Sequence, residues 1–223
     1  MNHYAVFPSA KEARAVAAVD AWRAKGYKTL VYMDSPNLKC GADVVSYGAG
    51  CEYPGYYRLI GTLARQAFAH GADVVTCIGD DMLPPEQGAE WVAEDYFKHF
   101  PAGLGVYQGC GDPQGMDGNG VPAAARICGS PTFGIEWSNR AYKGVGAFCD
   151  IYGNYYSDED LFNVAGILNL LWMEPTVAVM HMHWSWNHMQ IQDYHQRNQR
   201  GWEQDQRIFF TRKAAGFPGS ELL

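Results

Sequence analysis

The stretch Ala72-Asp73-Val74-Val75-Thr76-Cys77-Ile78-Gly79-Asp80-Asp81-Met82-Leu83-Pro84-Pro85 decides how the rest of the chain is read. Val74 to Ile78 is a short apolar, β-branched run of the kind a buried central strand requires. Two carboxylates follow at once, and Pro84 and Pro85 are expected to stop the strand, because proline cannot donate to a β-ladder. Hard oxygen ligands at the carboxyl end of a strand can hold a divalent cation, and a cation can neutralise a diphosphate. Adjacent Asp residues also suit the start of a following helix, so this stretch taken alone supports both readings.

Upstream, strand and helix signals alternate. His3 to Phe7 reads as a strand, and Ala15, Val16, Val19 and Trp22 fall on one side of a helix ending near Gly26. Tyr27 to Met33 is a second strand, ending at Asp34-Ser35-Pro36, so another carboxylate lies just past a strand end, where open parallel sheets bind ligands. Asp43 to Tyr47 is a third short strand. Ile60, Leu63, Ala64, Ala67 and Phe68 mark one buried helix face, closed by Gly71; Arg58 and Arg65 on the same helix are either solvated or within reach of a phosphate. Downstream, Glu86 to Phe100 carries the stripe Ala93, Tyr96, Phe97 and Phe100, and Leu104 to Tyr107 is another strand. The βα alternation predicts an α/β fold, a three-layer sandwich around a mostly parallel central sheet. Gln108 to Gly120, with five glycines and Pro113, reads as a surface loop or lid; its Asp117-Gly118-Asn119-Gly120 lacks the rest of a calcium-loop pattern.

The second half adds further acids and imidazoles. Phe133 to Trp137 reads as a strand. Ser157-Asp158-Glu159-Asp160 precedes a helix stripe of Leu161, Val164, Ala165, Leu168, Leu171 and Trp172, with Ser157 or Asp158 as its cap. For Glu159 and Asp160, capping and dipole compensation are the favoured reading, with their side chains in water. Thr176 to His183 alternates as a strand, which puts Val177, Val179, His181 and His183 on one face, where two imidazoles can reach one cation or can equally serve as satisfied core residues. Trp137, Trp184 and Trp186 are candidates to stack on a sugar, though most aromatics here belong to the core. Arg197, Arg200, Arg207, Arg212 and Lys213 in the last segment read mainly as a solvated helical face.

The 223 residues, 48% of them hydrophobic and 14% aromatic, suffice for one well-buried domain. A net charge of -7 argues against a large non-specific nucleic-acid surface. Six cysteines without a Cys-x-x-Cys pair point to reduced thiols, and with neither a leader pattern nor a bilayer-length apolar run a soluble cytoplasmic protein is expected.

In order and placement, Asp34-Ser35, Gly-Asp-Asp-Met-Leu-Pro at 79–84, Ser-Asn-Arg-Ala-Tyr at 138–142 with Val145-Gly146 and Phe148, Ser-Asp-Glu-Asp-Leu at 157–161 and a late histidine resemble the GT-A fold glycosyltransferases, especially the family 2-like inverting enzymes, over roughly His3 to Trp184. The resemblance implies one GT-A-like catalytic domain over 1–223. Its nucleotide-binding half is about 1–107, its acceptor and base-bearing half about 108–195, and its C-terminal helical segment about 196–223. It implies a nucleoside-diphosphate sugar as donor and Mn²⁺ or Mg²⁺ as cofactor. Asp34 would contact the base, Asp80 the ribose and Asp81 the metal-diphosphate; Arg58 would bind the donor, His181 or His183 would complete the metal site, and Asp158 would be the catalytic base. Gly79 stands where the family has the first Asp of Asp-x-Asp, and Ser157 replaces a Glu. The acceptor is a glycan, lipid-linked sugar, small molecule, protein or modified nucleic-acid base. A nucleotidyltransferase is the runner-up, although its glycine-rich phosphate loop after the first strand is missing; a non-catalytic sugar-nucleotide or glycan-binding module is third.

Overall fold

Strand β1 (His3–Ser9) is buried along nearly its whole length, and its alternation sends Tyr4 and Val6 to one face of a sheet and Ala5 and Phe7 to the other. In the computed structural model, which describes residues 1–48, 54–110, 127–182 and 201–223, β1 is followed by α1 (Glu12–Ala24), β2 (Lys28–Met33), β3 (Val44–Tyr47), α2 (Tyr56–Ala69), β4 (Val74–Cys77), β5 (Met82–Leu83), α3 (Gly88–His99) and β6 (Val106–Cys110). Then come β7 (Pro131–Gly134), α4 (Ile135–Gly144), α5 (Ser157–Ile167), β8 (Leu171–Ala178), β9 (Met180–His181) and α6 (Trp202–Ala214). Seven strands form one sheet in the order β3-β2-β1-β4-β7-β6-β8, and β5 pairs with β9 in a separate antiparallel ribbon. Only β7 runs against the others in the seven-stranded sheet. The result is a mixed α/β, Rossmann-like fold with a mostly parallel central sheet.

Helices cover both faces. Tyr4, Val6, Leu30 and Val75 pack against α2 (Ile60, Leu63, Ala64, Ala67), α4 (Trp137, Ala141) and α5 (Leu161, Val164, Ala165). Ala5, Phe7, Val31 and Met33 pack against α1 through Ala15, Ala18, Val19 and Trp22, and α3 covers Val74 and Tyr107 with Val92, Ala93 and Tyr96. Each face is therefore a separate apolar layer, the arrangement expected of a sheet whose strands are buried on both sides.

Several boundaries differ from the sequence expectation. Val16 is exposed and Ala18 takes its place in the buried face of α1. Strand β4 ends at Cys77, before the acids, and the two prolines follow the short β5 instead of stopping β4. Phe133 and Gly134 end β7, whereas Trp137 lies in α4, fully buried with its indole N–H donating to the Ala147 carbonyl, so it is core and not a sugar platform. Leu171 and Trp172 belong to β8, not to the helix stripe before it, and β8 itself carries a register shift near Pro175 and breaks at Val179. Trp184, Trp186, His183, Arg197, Arg200 and nearly all of the Gln108–Gly120 loop lie outside the described residues. Among the described residues the cysteines are free, and no helix is long and apolar enough to cross a membrane.

A buried polar chain crosses the centre of the sheet. His3 Nδ1 lies 3.0 Å from the Ala89 carbonyl, which can only accept, so Nδ1 carries the proton. The Thr76 hydroxyl then donates to Nε2 at 2.7 Å, and the Thr132 hydroxyl donates to Thr76 Oγ1 at 2.6 Å. This chain ties α3, β1, β4 and β7 together and requires neutral His3. Burial pushes the imidazole down from 6.5 to about 4, against the smaller upward pull of the Ala89 hydrogen bond. Because the unfolded chain takes up this proton near pH 6.5 and the folded one only near 4, the contribution is complete above about pH 6.5 and is lost as pH falls through that window. The expected loss is about 3 kcal/mol. It is checked by urea unfolding at pH 7, 5.5 and 4.5: wild type should show this fall over and above the slope of His3→Gln, and parallel slopes would remove the assignment.

Candidate functional site

The order in which the parallel strands are laid down reverses about β1: β2 and β3 lie on one side of it and β4 on the other. Open α/β sheets bind ligands in the crevice at the carboxyl ends of strands flanking such a switch point. Here Ser9, the last residue of β1, donates its hydroxyl to Asp80 Oδ2 at 2.6 Å across that crevice. Asp34, which follows β2 and is exposed, reaches the same edge, since its backbone N–H approaches the Ser9 carbonyl at 3.4 Å. The β-strand reading of the sequence therefore brings Asp34, Asp80 and Asp81 to one rim.

Helix α1 starts at this rim, and its first turns supply positive charge. Arg14 Nη2 lies 2.6 Å from Asp80 Oδ1 and 3.3 Å from Asp81 Oδ2, bridging the acid pair. Lys11, just before the helix, adds a second charge felt by Asp80. Burial raises the Asp80 carboxyl above its ordinary value despite the opposing pull of Arg14, Ser9 and Lys11. For Asp81, burial acts in the same upward direction but is outweighed by the His181 hydrogen bond and charge and by Arg14, so its carboxyl is held below the ordinary range. The two neighbouring acids are thus pushed in opposite directions, Asp80 up and Asp81 down.

The position of His181 comes from backbone pairing that no local pattern announces. Met82 pairs with His181 and Leu83 with Met180, and the Met182 N–H donates to the Asp81 carbonyl at 2.7 Å. Trp22, buried in α1, anchors the same ribbon by donating to the Met82 carbonyl at 2.9 Å. These contacts set His181 Nε2 3.5 Å from Asp81 Oδ1, near enough for both to ligate one cation with a small closing movement. Gly79 also has a local reason: a Cβ there would lie 2.6 Å from Asp81 Oδ1, so any larger residue displaces the carboxylate.

Asp158, half-buried in the first turn of α5, faces the N-terminal turn of α2. The Tyr57 hydroxyl is raised well above its ordinary value by burial and by the charge of Asp158, to which it is hydrogen-bonded. The neighbouring Tyr56 donates to the Ile78 carbonyl at 2.9 Å, which links this corner to the end of β4. The cap differs from expectation: Tyr156, in the left-handed region with φ 66°, precedes the helix, and Asp158 Oδ1 accepts from the Glu159 N–H at 3.0 Å. Asp160 is not in water but fully buried, gripped by Arg212 and by the hydroxyls of Tyr142 and Tyr152. Glu159 is pushed up to about 7 by burial, with the charge of Asp158 adding to it. Arg58 is exposed and donates to the Asp150 carbonyl at 2.5 Å, which ties α2 to the segment between α4 and α5.

Sequence reasoning passed over Ser9, Lys11 and Arg14, although Ser9-x-Lys11-x-x-Arg14 directly after a strand and opening a helix is a readable anion-site signal. It read α6 mainly as a solvated helical face, whereas α6 also holds the segment before α5 in place. Asp205, 3% exposed, accepts from the backbone N–H groups of Gly153, Asn154 and Tyr155 at 3.0, 2.9 and 3.0 Å.

No family model and no curated protein matches the chain. Among solved structures, it is similar to a hypothetical transferase from Thermus thermophilus at 13% identity, covering 49% of this chain and 51% of that one with a TM-score of 0.30. It is also similar to a glycosyltransferase involved in the glycosylation of the major capsid of PBCV-1, at 9% identity, 61% coverage of each chain and a TM-score of 0.38. The chain thus spans about half of the first protein and about three fifths of the second.

Proposed function

We propose that this chain is a GT-A-like, metal-dependent glycosyltransferase that moves a sugar from a nucleoside-diphosphate sugar to an acceptor hydroxyl with inversion. The observation that carries the reading is the convergence, at the β1/β4 switch point, of Ser9, Arg14, Asp80, Asp81 and His181. Carboxylate and imidazole donors suit Mn²⁺ or Mg²⁺, and the acid pair already accepts one cationic group, the Arg14 guanidinium. Asp81 and His181 would hold the ion, which when bound supplies Lewis-acid stabilisation of a departing diphosphate. Asp80 and Asp34 would orient the nucleoside from the strand ends. Lys11 and Arg14, at the start of α1, would share the diphosphate's negative charge with the helix N-terminus. Asp158 would take the proton of the acceptor hydroxyl.

A panel of nucleotide sugars with Mn²⁺, followed by nucleoside diphosphate release, tests this reading. Wild type should release diphosphate only with metal. Asp81→Asn should weaken Mn²⁺-dependent binding of the nucleoside diphosphate by at least about tenfold while the protein still folds, as circular dichroism would show. Unchanged affinity in that variant removes Asp81 from the site. Pyrophosphate release from a sugar phosphate and a nucleoside triphosphate would replace glycosyl transfer by nucleotidyl transfer, and binding without turnover would leave a recognition module.

A further inference from the structure

Away from the switch point, at the opposite side of the sheet, β8 forms the end of the seven-stranded order and lies beside the last turn of α3. Asp95 and His99, one helical turn apart on α3, and Glu174 on β8 bring one ligand atom each to within 4.8 Å of one another. Among the described residues this is the only group of three histidine, cysteine or acidic side chains that converges so closely. We infer that Asp95, His99 and Glu174 form a second, structural metal site for a divalent first-row transition ion, separate from the switch-point acids.

Four features support a cation here. The His99 ring is stacked on Trp172 with centroids 3.8 Å apart and planes 18° from parallel, which fixes the imidazole plane while Nε2 faces Asp95 Oδ2 at 3.9 Å. Both carboxylates are held from behind: Tyr107 donates to Asp95 Oδ2 at 3.0 Å, Thr176 donates through its N–H and hydroxyl to Glu174 Oε1 at 3.0 and 2.7 Å, and the Trp172 indole N–H donates to Oε2 at 3.2 Å. Glu174 Oε2 and Asp95 Oδ2 each accept only one of these bonds and keep capacity for another, and ligands oriented by outer hydrogen bonds are the usual construction around bound metals. The cluster also sits at the C-terminal end of α3, where the helix dipole favours positive charge. Lys98 Nζ, 3.4 Å from Asp95 Oδ1, offsets only one of the two carboxylate charges.

Ligand atoms around a four-coordinate zinc ion lie about 3.3 to 3.6 Å apart, so closing requires the three groups to move by roughly 1 Å or less. One imidazole and two carboxylates suit Zn²⁺, Mn²⁺ or Co²⁺ better than an all-oxygen ion. An ion here would fasten the end strand β8 to α3 and so steady the path that leads on to β9 and His181.

Calorimetry with Zn²⁺ on untagged, reduced protein tests the site, with Asp81→Asn separating it from the switch-point acids. Wild type and Asp81→Asn should both bind one ion at this site. His99→Asn and Glu174→Gln should each lose tenfold or more in affinity, with unchanged circular dichroism and with metal-dependent nucleoside diphosphate binding retained. Co²⁺ should load without a thiolate charge-transfer band, because no cysteine takes part. Full Zn²⁺ affinity in His99→Asn, no binding by wild type at tens of micromolar ion, or a thiolate band would each overturn the assignment. Since Asp81→Asn reports on the switch point alone, failure here leaves the glycosyl-transfer reading standing.

Discussion

Arg212→Met should lower the stability of the fold by about 3 to 5 kcal/mol, one of the two largest effects expected of any single change in this chain. Arg212 Nε donates to Asp160 Oδ2 at 2.7 Å, and the Asp160 side chain is fully buried. The same guanidinium donates to the Pro218 carbonyl and to Ser220 Oγ, both at 2.8 Å, so it joins α5 to the chain beyond α6. Among the described residues, removing it leaves a carboxylate in an apolar core with the hydroxyls of Tyr142 and Tyr152, at 2.9 Å each, to hold its charge. The cost is that of an uncompensated buried ion, not the smaller net worth of the pair. Two controls separate these terms. Asp160→Asn combined with Arg212→Met removes both charges and should be less destabilised than Arg212→Met alone, a coupling that a double-mutant cycle in urea would measure. Arg212→Lys keeps the charge without the fork and should fall between wild type and Met. A loss under about 1 kcal/mol in Arg212→Met would mean the ion pair does not carry this corner.

The same pair shows where the sequence stops being legible. That Asp160 precedes an apolar helix stripe is visible locally, and it reads as a solvated first-turn acid. Its burial depends on an arginine far along the chain, on a helix with few apolar residues. The inward face of α6 is marked by a mixed pattern instead of an apolar one: Asp205, Phe209 and Arg212 recur at three- and four-residue spacing, and all three face inward. Strands with continuous apolar runs are readable because each run carries its own evidence. Val74 to Cys77 is buried at every position, and the acids do follow it at the sheet's rim. The β5–β9 ribbon and the reversed β7 are not readable in this way. Two residues give too little pattern to mark a strand, and direction within a sheet is set by which neighbours remain to be paired. The rim acids are therefore legible one at a time, whereas the contact of His181 with Asp81 comes only from the fold.

Asp158→Asn should depress glycosyl transfer by roughly two orders of magnitude or more while the fold and nucleotide binding survive. Of the three consecutive acids, Asp160 is excluded as a base, because both its oxygens are engaged and no part of it meets solvent. The choice lies between Asp158 and Glu159. Asp158 is half-buried, stands in the first turn of α5 where the dipole favours its ionised form, and is hydrogen-bonded to the buried Tyr57 beside the end of β4. Glu159, pushed up to about 7, would be a stronger base where ionised but is partly protonated at neutral pH. The two roles leave different pH profiles. With Asp158 as base, turnover does not follow the Glu159 titration near pH 7, and Glu159→Gln keeps most of it. With Glu159 as base, turnover falls as pH drops through about 7 and Glu159→Gln is the inactive variant. Turnover of Asp158→Asn and Glu159→Gln at saturating donor and acceptor, from pH 5 to 8, decides between them, and near-normal turnover in Asp158→Asn would reduce that residue to a helix-terminal charge.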